Sequence, residues 1–203
     1  MRIPGWDHML GALKDNIRKW FLPLARNIPL SPNSLTMIGL LVSIIAAFQF
    51  ARGFLILGAL TILLSGLFDI FDGAVARANG LSTAFGAVLD SVCDRYADAM
   101  IFAGIIYGLV SGNIILVDFL LIPMWLWAVI AIIGSYLVSY TRSRAEAAGA
   151  KKMDIGIAER PERLLVLVAG ALTGMLGLAI VIIVILTHVT VVQRLLHAKR
   201  SLA

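Results

Sequence analysis

Two pairs of aspartates stand at helical spacing inside segments that are otherwise apolar enough to span a membrane. Asp69 and Asp72 are three positions apart, which places them on one face of a helix. Asp90 and Asp94 are four positions apart and share a face in the same way. A carboxylate in hydrocarbon costs about 2.5–3.5 kcal/mol on insertion scales, so four of them need a compensating positive charge. Oxygen ligands alone favour a hard divalent cation such as Mg²⁺, Mn²⁺ or Ca²⁺.

The two pairs are predicted to lie at similar depth in the membrane. Asp69 comes eight residues before Arg77, at the end of one predicted helix, and Asp90 comes eight residues after Ser82, at the start of the next. Eight residues of helix rise about 12 Å. Two glycines at these levels let the helices approach closely, Gly73 and Gly86. We therefore expect a cage of four carboxylates between antiparallel helices, large enough for two metal ions.

The composition is that of a polytopic membrane protein. Of the 203 residues, 60% are hydrophobic and only 14% are charged, whereas soluble domains carry roughly 25% charged residues. The mean hydropathy is +0.94. The length suffices for five or six helices of about 20 residues each.

The hydropathy pattern predicts an all-α membrane protein with six transmembrane helices and an N-terminal interfacial helix. Residues 1–30 are predicted to form the juxtamembrane part, with an amphipathic helix over 6–21 lying in the interface plane. Residues 31–203 are predicted to form the transmembrane domain. Its first four spans are expected at about 33–51, 54–77, 82–109 and 118–141.

Charge placement decides how the C-terminal part crosses the membrane. Residues 164–192 carry no charge, and their 29 residues would make about 43 Å of helix. They form either one long tilted span or two short spans broken near Thr173, Gly174 or Gly177. All but one of the 17 basic residues fall in four clusters, which six spans place on one side. By the positive-inside rule we expect six spans in the plasma membrane, with both termini and the active site cytoplasmic.

The string of aspartates, glycines and arginine resembles the signature of the CDP-alcohol phosphotransferase family. That signature reads Asp-x2-Asp-Gly-x2-Ala-Arg-x8-Gly-x3-Asp-x3-Asp, and all of its fixed positions match between Asp69 and Asp94. The resemblance implies six transmembrane helices, a homodimer and a pair of Mg²⁺ or Mn²⁺ ions. It also implies transfer of the phosphatidyl-type group of a CDP-lipid to an alcohol, with release of CMP.

The resemblance also assigns roles by position. It implies metal ligation by the four signature aspartates, Asp69, Asp72, Asp90 and Asp94. Asp94, the last of them, resembles the base that deprotonates the acceptor hydroxyl. The CDP-lipid contacts implied in this way are Asn33, Ser34, Leu35, Thr36, Asp69, Gly73, Arg77 and Thr83. Asp98 lies outside the signature, and we expect it to be a polar group satisfied within the helix bundle.

Two arginine-rich stretches, 139–146 and 159–164, indicate the acceptor. Several arginines at a cytoplasmic pocket suit a phosphate, because their planar forks match its oxygens, although membrane anchoring also explains some of them. Both stretches resemble the inositol-phosphate branch of the family, in which the acceptor is inositol 1-phosphate. The candidates for binding the acceptor phosphate are Arg142, Arg163 and Arg194, followed by Arg144 and Arg160.

Other functions compete with this interpretation. The same chemistry with another acceptor, such as glycerol 3-phosphate or serine, needs the same aspartates. A cation transporter would also carry intramembrane acids, but near the midplane and in broken helices. Purely structural acids are the remaining alternative. No nucleic-acid partner is expected, and the lipid could be CDP-diacylglycerol or CDP-archaeol.

Overall fold

The computed structural model describes residues 28–151 and 153–202. These residues form six α-helices and no named strand, in the order α1 (Pro32–Ala51), α2 (Leu55–Ala78), α3 (Ala84–Val110), α4 (Met124–Ala147), α5 (Arg160–Leu172) and α6 (Leu176–Leu202). The predicted interfacial helix over 6–21 lies outside the described residues. The all-α prediction is confirmed for the part of the chain that the structure describes.

The helices next to the aspartates begin where the sequence signals predict. At the start of α1 the Ser31 hydroxyl accepts a hydrogen bond of 3.1 Å from the Ser34 N–H, and Pro32 occupies the first turn. Thr83 caps α3 in the same way, accepting a hydrogen bond of 2.9 Å from the Gly86 N–H. These caps fix the entry of α1 and α3 at the end of the bundle that carries the aspartates.

The predicted start of the fourth span, about residue 118, is wrong. Helix α4 begins at Met124 and runs to Ala147. Its start is delayed because the preceding loop turns back through Leu120 and Leu121, which have φ values of 52° and 61°. Its end extends through the polar stretch after Thr141, which stays helical.

The uncharged C-terminal stretch is broken into two helices. Helix α5 ends at Leu172 and α6 begins at Leu176, and Gly174 in the connection takes a φ of 74° that favours glycine. Helix α5 has 13 residues, or about 20 Å. Within residues 28–151 and 153–202, four helices are long and apolar enough to cross a membrane, namely α1, α2, α4 and α6. The protein is therefore a helical membrane protein, and six crossings remain a prediction.

Close packing of α1 against α2 and α3 positions the site. A Cβ on Gly104 of α3 would collide with the backbone of Ala47 in α1, so glycine is required at this crossing. On the other side, the hydroxyls of Ser43 and Ser65 lie 2.7 Å apart, and each lies 3.0 Å from the Gly39 carbonyl oxygen. These contacts join α1 to α2 directly beneath the aspartates. Helix α5 packs on α2 and α6, and α4 packs on α3 and α6.

Candidate active site

Three of the four predicted metal ligands converge. Asp69 and Asp72 on α2 and Asp90 on α3 each place one carboxylate oxygen within 4.8 Å of the others. Asp72 is buried, with 7% of its surface exposed, and it accepts a hydrogen bond of 2.6 Å from the Thr36 hydroxyl. Helix α1 therefore orients one ligand of the group, while α2 and α3 supply all three. We call these residues the aspartate triad.

The aspartate triad fits a divalent cation. The Asp90 Oδ1 atom is buried and has no hydrogen-bond partner among the described residues. A buried carboxylate oxygen without a donor is costly unless a cation satisfies it. Three converging carboxylates are an oxygen-only donor set of the kind that Mg²⁺ and Mn²⁺ prefer.

Asp94, the fourth predicted ligand, lies apart from this triad. Its carboxylate pairs with Arg160 at 2.7 Å and with Arg95 at 3.5 Å. Arg160 also reaches Asp69 at 3.1 Å. A guanidinium group thus lies between Asp94 and Asp69, which the spacing of the acids alone did not predict.

Asp98 is satisfied within the bundle, as expected. It is buried, with 7% of its surface exposed. Arg163 donates to its Oδ2 at 2.5 Å, and Arg160 Nε donates to its Oδ1 at 3.3 Å. The pairing follows from two helical spacings, because Arg160 and Arg163 lie on one face of α5 while Asp94 and Asp98 lie on one face of α3.

A cavity opens beside the aspartates between α1, α2 and α3. Its wall includes Asp69, Asp72, Asp94 and Arg160, and it extends inward to Ser65. The aspartates and the arginine therefore face one shared space rather than separate surfaces. A phosphate-bearing substrate entering this space would meet the carboxylates and Arg160 together.

The predicted CDP-lipid contacts lie at the same end of α1, α2 and α3. One of them, Leu35, is a core residue rather than an exposed contact. A Cβ on Gly86 would lie 3.3 Å from Asn33 Oδ1 and 3.0 Å from Thr83 Oγ1. These two polar side chains therefore both lie against the Gly86 backbone. Arg77 folds over Gly73 in a similar way, its guanidinium 3.1 Å from where a Cβ would lie. The Leu35 side chain instead packs in a small core with Ala74 and Val75. Ser34 is exposed, and its hydroxyl lies 2.8 Å from that of Ser31.

Four of the five predicted acceptor arginines divide into two groups. Arg142 and Arg194 both face Glu159, at 4.0 Å and 3.7 Å. We call these two arginines the arginine pair. Arg160 and Arg163 instead face Asp98, as described above. Arg144 is exposed in the last turn of α4.

Acidic partners that the sequence analysis missed hold the arginine pair. Asp154 binds Arg142 at 2.6 Å, in addition to Glu159 and Glu146. Arg194 is 2% exposed and donates to the Val138 carbonyl oxygen at 2.6 Å and to the Ile155 carbonyl oxygen at 2.8 Å. For Glu159, the sequence signal was the alternation of acids and arginines over 159–163.

The family model described as CDP-alcohol phosphatidyltransferase matches residues 29–193. The chain belongs to this family. It is 34% identical over 200 residues to the archaetidylinositol phosphate synthase of Pyrococcus horikoshii, covering 96% of this chain and 98% of that relative. Membership confirms the enzyme class that the signature predicted, a phospholipid-synthesising CDP-alcohol phosphotransferase.

Solved structures of a family member share this fold. The crystal structure of Mycobacterium tuberculosis phosphatidylinositol phosphate synthase with CDP-DAG bound is similar to this chain, with a TM-score of 0.74 and 30% identity over 94% of this chain and 95% of that one. The same enzyme in complex with manganese and citrate gives a TM-score of 0.75 and 31% identity over 93% and 90%. The aspartate triad and the manganese-bound family member together support the use of a divalent metal. The cation-transporter alternative is disfavoured, because α2 and α3 run unbroken through the aspartates.

Proposed function

We propose that the protein transfers the phosphatidyl-type group of a CDP-lipid, CDP-diacylglycerol or CDP-archaeol, to inositol 1-phosphate and releases CMP. The observation that carries the choice of acceptor is the convergence of Arg142 and Arg194 on the carboxylate of Glu159. Guanidinium groups that hold one anionic oxygen can hold a phosphate in its place. The names of the relatives, archaetidylinositol phosphate synthase and phosphatidylinositol phosphate synthase, support the same acceptor.

The aspartates are proposed to hold two divalent ions, Mg²⁺ or Mn²⁺. The aspartate triad is the site for the first ion, and Asp94 with Asp69 contributes to the second. When bound, such ions neutralise the diphosphate oxygens and stabilise the leaving CMP. Arg77, folded over Gly73 at the end of α2, is placed to contact a phosphate oxygen of the CDP-lipid.

Asp94 is proposed to accept the proton of the acceptor hydroxyl. It lies on the wall of the cavity that also includes Asp69 and Asp72 of the triad. In the reaction the acceptor oxygen bonds to the lipid-side phosphorus, the bond from that phosphorus to the CMP oxygen breaks, and the hydroxyl proton passes to Asp94. The residue contributes chiefly by being positioned where the proton leaves.

The remaining CDP-lipid contacts are proposed from the positions that match the family. Asn33 and Thr83 direct polar atoms to the same space above Gly86, which suits the polar edge of a cytosine or ribose. Thr36 orients Asp72 through its hydroxyl. Ser34 and Leu35 belong to the same first turn of α1, where they fix the placement of their neighbours.

The topology is proposed to bring all of these groups to the cytoplasmic face of the plasma membrane. The aspartates lie near the end of α2 and the start of α3, and the arginines lie at the end of α4, the start of α5 and the end of α6. The positive-inside rule places that end in the cytoplasm if α3 and α5 also cross, which gives six spans and both termini inside. A homodimer is proposed as the assembly.

A labelled CDP-lipid assay with a set of acceptors tests the proposal. Inositol 1-phosphate should give the highest rate of CMP release, followed by other phosphorylated alcohols, with free inositol and serine far behind. The same arginines could hold the phosphate of glycerol 3-phosphate, which is the second candidate acceptor. Preference for glycerol 3-phosphate would overturn the inositol assignment and leave the arginine pair as a phosphate site.

A further inference from the structure

Arg160 binds carboxylates from both halves of the proposed metal site. Its guanidinium lies 2.7 Å from Asp94 and 3.1 Å from Asp69, and its side chain is only 15% exposed. Asp69 belongs to the aspartate triad as well. One largely enclosed cation therefore bridges the triad to the predicted ligand that lies outside it.

The other cations near the aspartates do not occupy this position. Arg163 is committed to Asp98 and to the Ala158 carbonyl oxygen. Arg95 reaches Asp94 at 3.5 Å, but its side chain is 34% exposed and therefore largely screened by solvent. Among the ion pairs of the described residues, only Arg160 neutralises Asp69 and Asp94 together.

We propose that Arg160 is an internal counter-ion that occupies the side of the site where a second divalent cation would bind. Its guanidinium holds Asp69 and Asp94 when that ion is absent and has to leave them before it binds. Two like charges that share a cavity repel each other unless a cation lies between them, so one positive group replaces the other. The inference rests on the proposed two-ion site.

Two features allow the exchange to occur. Asp69 belongs to the triad and also pairs with Arg160, so an ion bound at the triad draws Asp69 away and weakens one of the three carboxylate contacts of Arg160, those to Asp69, Asp94 and Asp98. Arg160 also keeps a second anionic partner, because its Nε donates to Asp98 Oδ1 at 3.3 Å, so a guanidinium released from Asp69 and Asp94 is not left unpaired.

Manganese binding to metal-stripped protein tests the inference without any turnover. Titration of detergent-solubilised enzyme, followed by the electron paramagnetic resonance signal of free Mn²⁺, gives the number of ions bound and the affinity for each. In wild type the second ion should bind more weakly than the first. Arg160→Gln should tighten the second ion by about tenfold or more, because a charge-assisted contact to each carboxylate no longer has to be broken. Affinity for the first ion should change much less.

Arg95→Gln is the matched control, because it removes the same charge from beside Asp94 without removing the bridge to Asp69. Its effect on the second ion should stay within about threefold, given the solvent exposure of Arg95. Arg160→Lys keeps the charge and should keep the second ion weak. A melting-temperature measurement covers the case in which Arg160→Gln is unstable without metal, since Mn²⁺ should then raise the melting temperature of Arg160→Gln more than that of wild type.

Two results would overturn the inference and can be told apart. If wild type and Arg160→Gln bind two ions with equal affinities, Arg160 does not compete and the two-ion site stands. If every variant binds a single ion, the two-ion proposal fails together with the inference. Neither result depends on which alcohol is the acceptor.

Discussion

Glu159 and Arg160 are adjacent in the chain but belong to two ionic clusters of opposite character. Glu159 places its carboxylate between two arginines, Arg142 and Arg194. Arg160 places its guanidinium among aspartates, including Asp69 and Asp94. The start of α5 therefore brings an anion to the proposed phosphate site and a cation to the proposed metal site. Each side chain carries the charge of the ligand that its cluster is proposed to bind.

Replacing Glu159 should strengthen the binding of the acceptor phosphate. Glu159→Gln removes the carboxylate that competes with an acceptor phosphate for Arg142 and Arg194. The KM for inositol 1-phosphate should fall by up to about fivefold, since partly exposed ion pairs are worth about 0–1 kcal/mol. The KM for CDP-lipid should not change. Steady-state kinetics in mixed micelles measures both constants.

Glu146→Gln is the control for this prediction. Glu146 pairs with Arg142 at 3.1 Å from the exposed side of α4, so its loss should change the KM for inositol 1-phosphate less. A rise in that KM in Glu159→Gln would mean that Glu159 assists the acceptor rather than competing with it.

Removing one carboxylate of the aspartate triad should remove both metal binding and turnover. Asp90→Asn loses a charged ligand at the position where one carboxylate oxygen is buried without a donor. Turnover should fall by at least about hundredfold, by analogy with the loss of one electrostatic stabiliser in other enzymes. The binding of Mn²⁺ should weaken in parallel, while the helical circular dichroism signal persists.

Asp118→Asn is the matched control, because Asp118 accepts a hydrogen bond of 3.3 Å from the Met124 N–H in the loop at the other end of α3. It should retain turnover. Near-normal activity of Asp90→Asn in saturating Mg²⁺ would exclude the triad as the catalytic metal site.

Asp94→Asn should separate binding from catalysis. Asparagine keeps one oxygen near the site but cannot accept the hydroxyl proton. We expect the rate constant for transfer to fall by about 10²–10⁴, the usual contribution of a positioned acid or base. The dissociation constant for CDP-lipid should rise much less. Equal losses in both quantities would show that Asp94 acts as a ligand and not as the base.

Replacing Arg163 should affect the stability of the fold more than the binding of the acceptor. It is 5% exposed, and its contact with Asp98 is a buried ion pair. Arg163→Gln should lower the free energy of unfolding by about 3–5 kcal/mol, because it leaves a buried carboxylate with one fewer partner. Thermal unfolding in detergent measures the loss. The double variant Arg163→Leu with Asp98→Leu should be more stable than Arg163→Gln; if it is not, the pair is not the source of the loss.

The sequence predicted the parts of the site that depend on spacing along one helix. The Asp69–Asp72 and Asp90–Asp94 pairs share helix faces because three or four residues make about one turn. The break between α5 and α6 fell at one of the predicted glycines, Gly174.

Features that depend on tertiary contacts were not predictable from one sequence. The hydropathy of 115–121 continues through the loop before α4, so periodicity could not locate the turn at Leu120 and Leu121. The contact between Arg160 and Asp94 joins residues 66 positions apart, and no local pattern encodes it. For the same reason, the separation of Asp94 from the triad was visible only in three dimensions.

The most direct test of the account compares inositol 1-phosphate with free inositol as acceptors for wild type and Arg194→Gln. Each charge-assisted hydrogen bond to phosphate is worth about 1.5–3 kcal/mol, so wild type should prefer inositol 1-phosphate by several orders of magnitude in kcat/KM. Arg194→Gln should lose about ten- to hundredfold of that preference. Its kcat/KM for the poor acceptor should stay nearly unchanged. If wild type uses free inositol as well as inositol 1-phosphate, the arginines do not read a phosphate and the proposed acceptor is wrong.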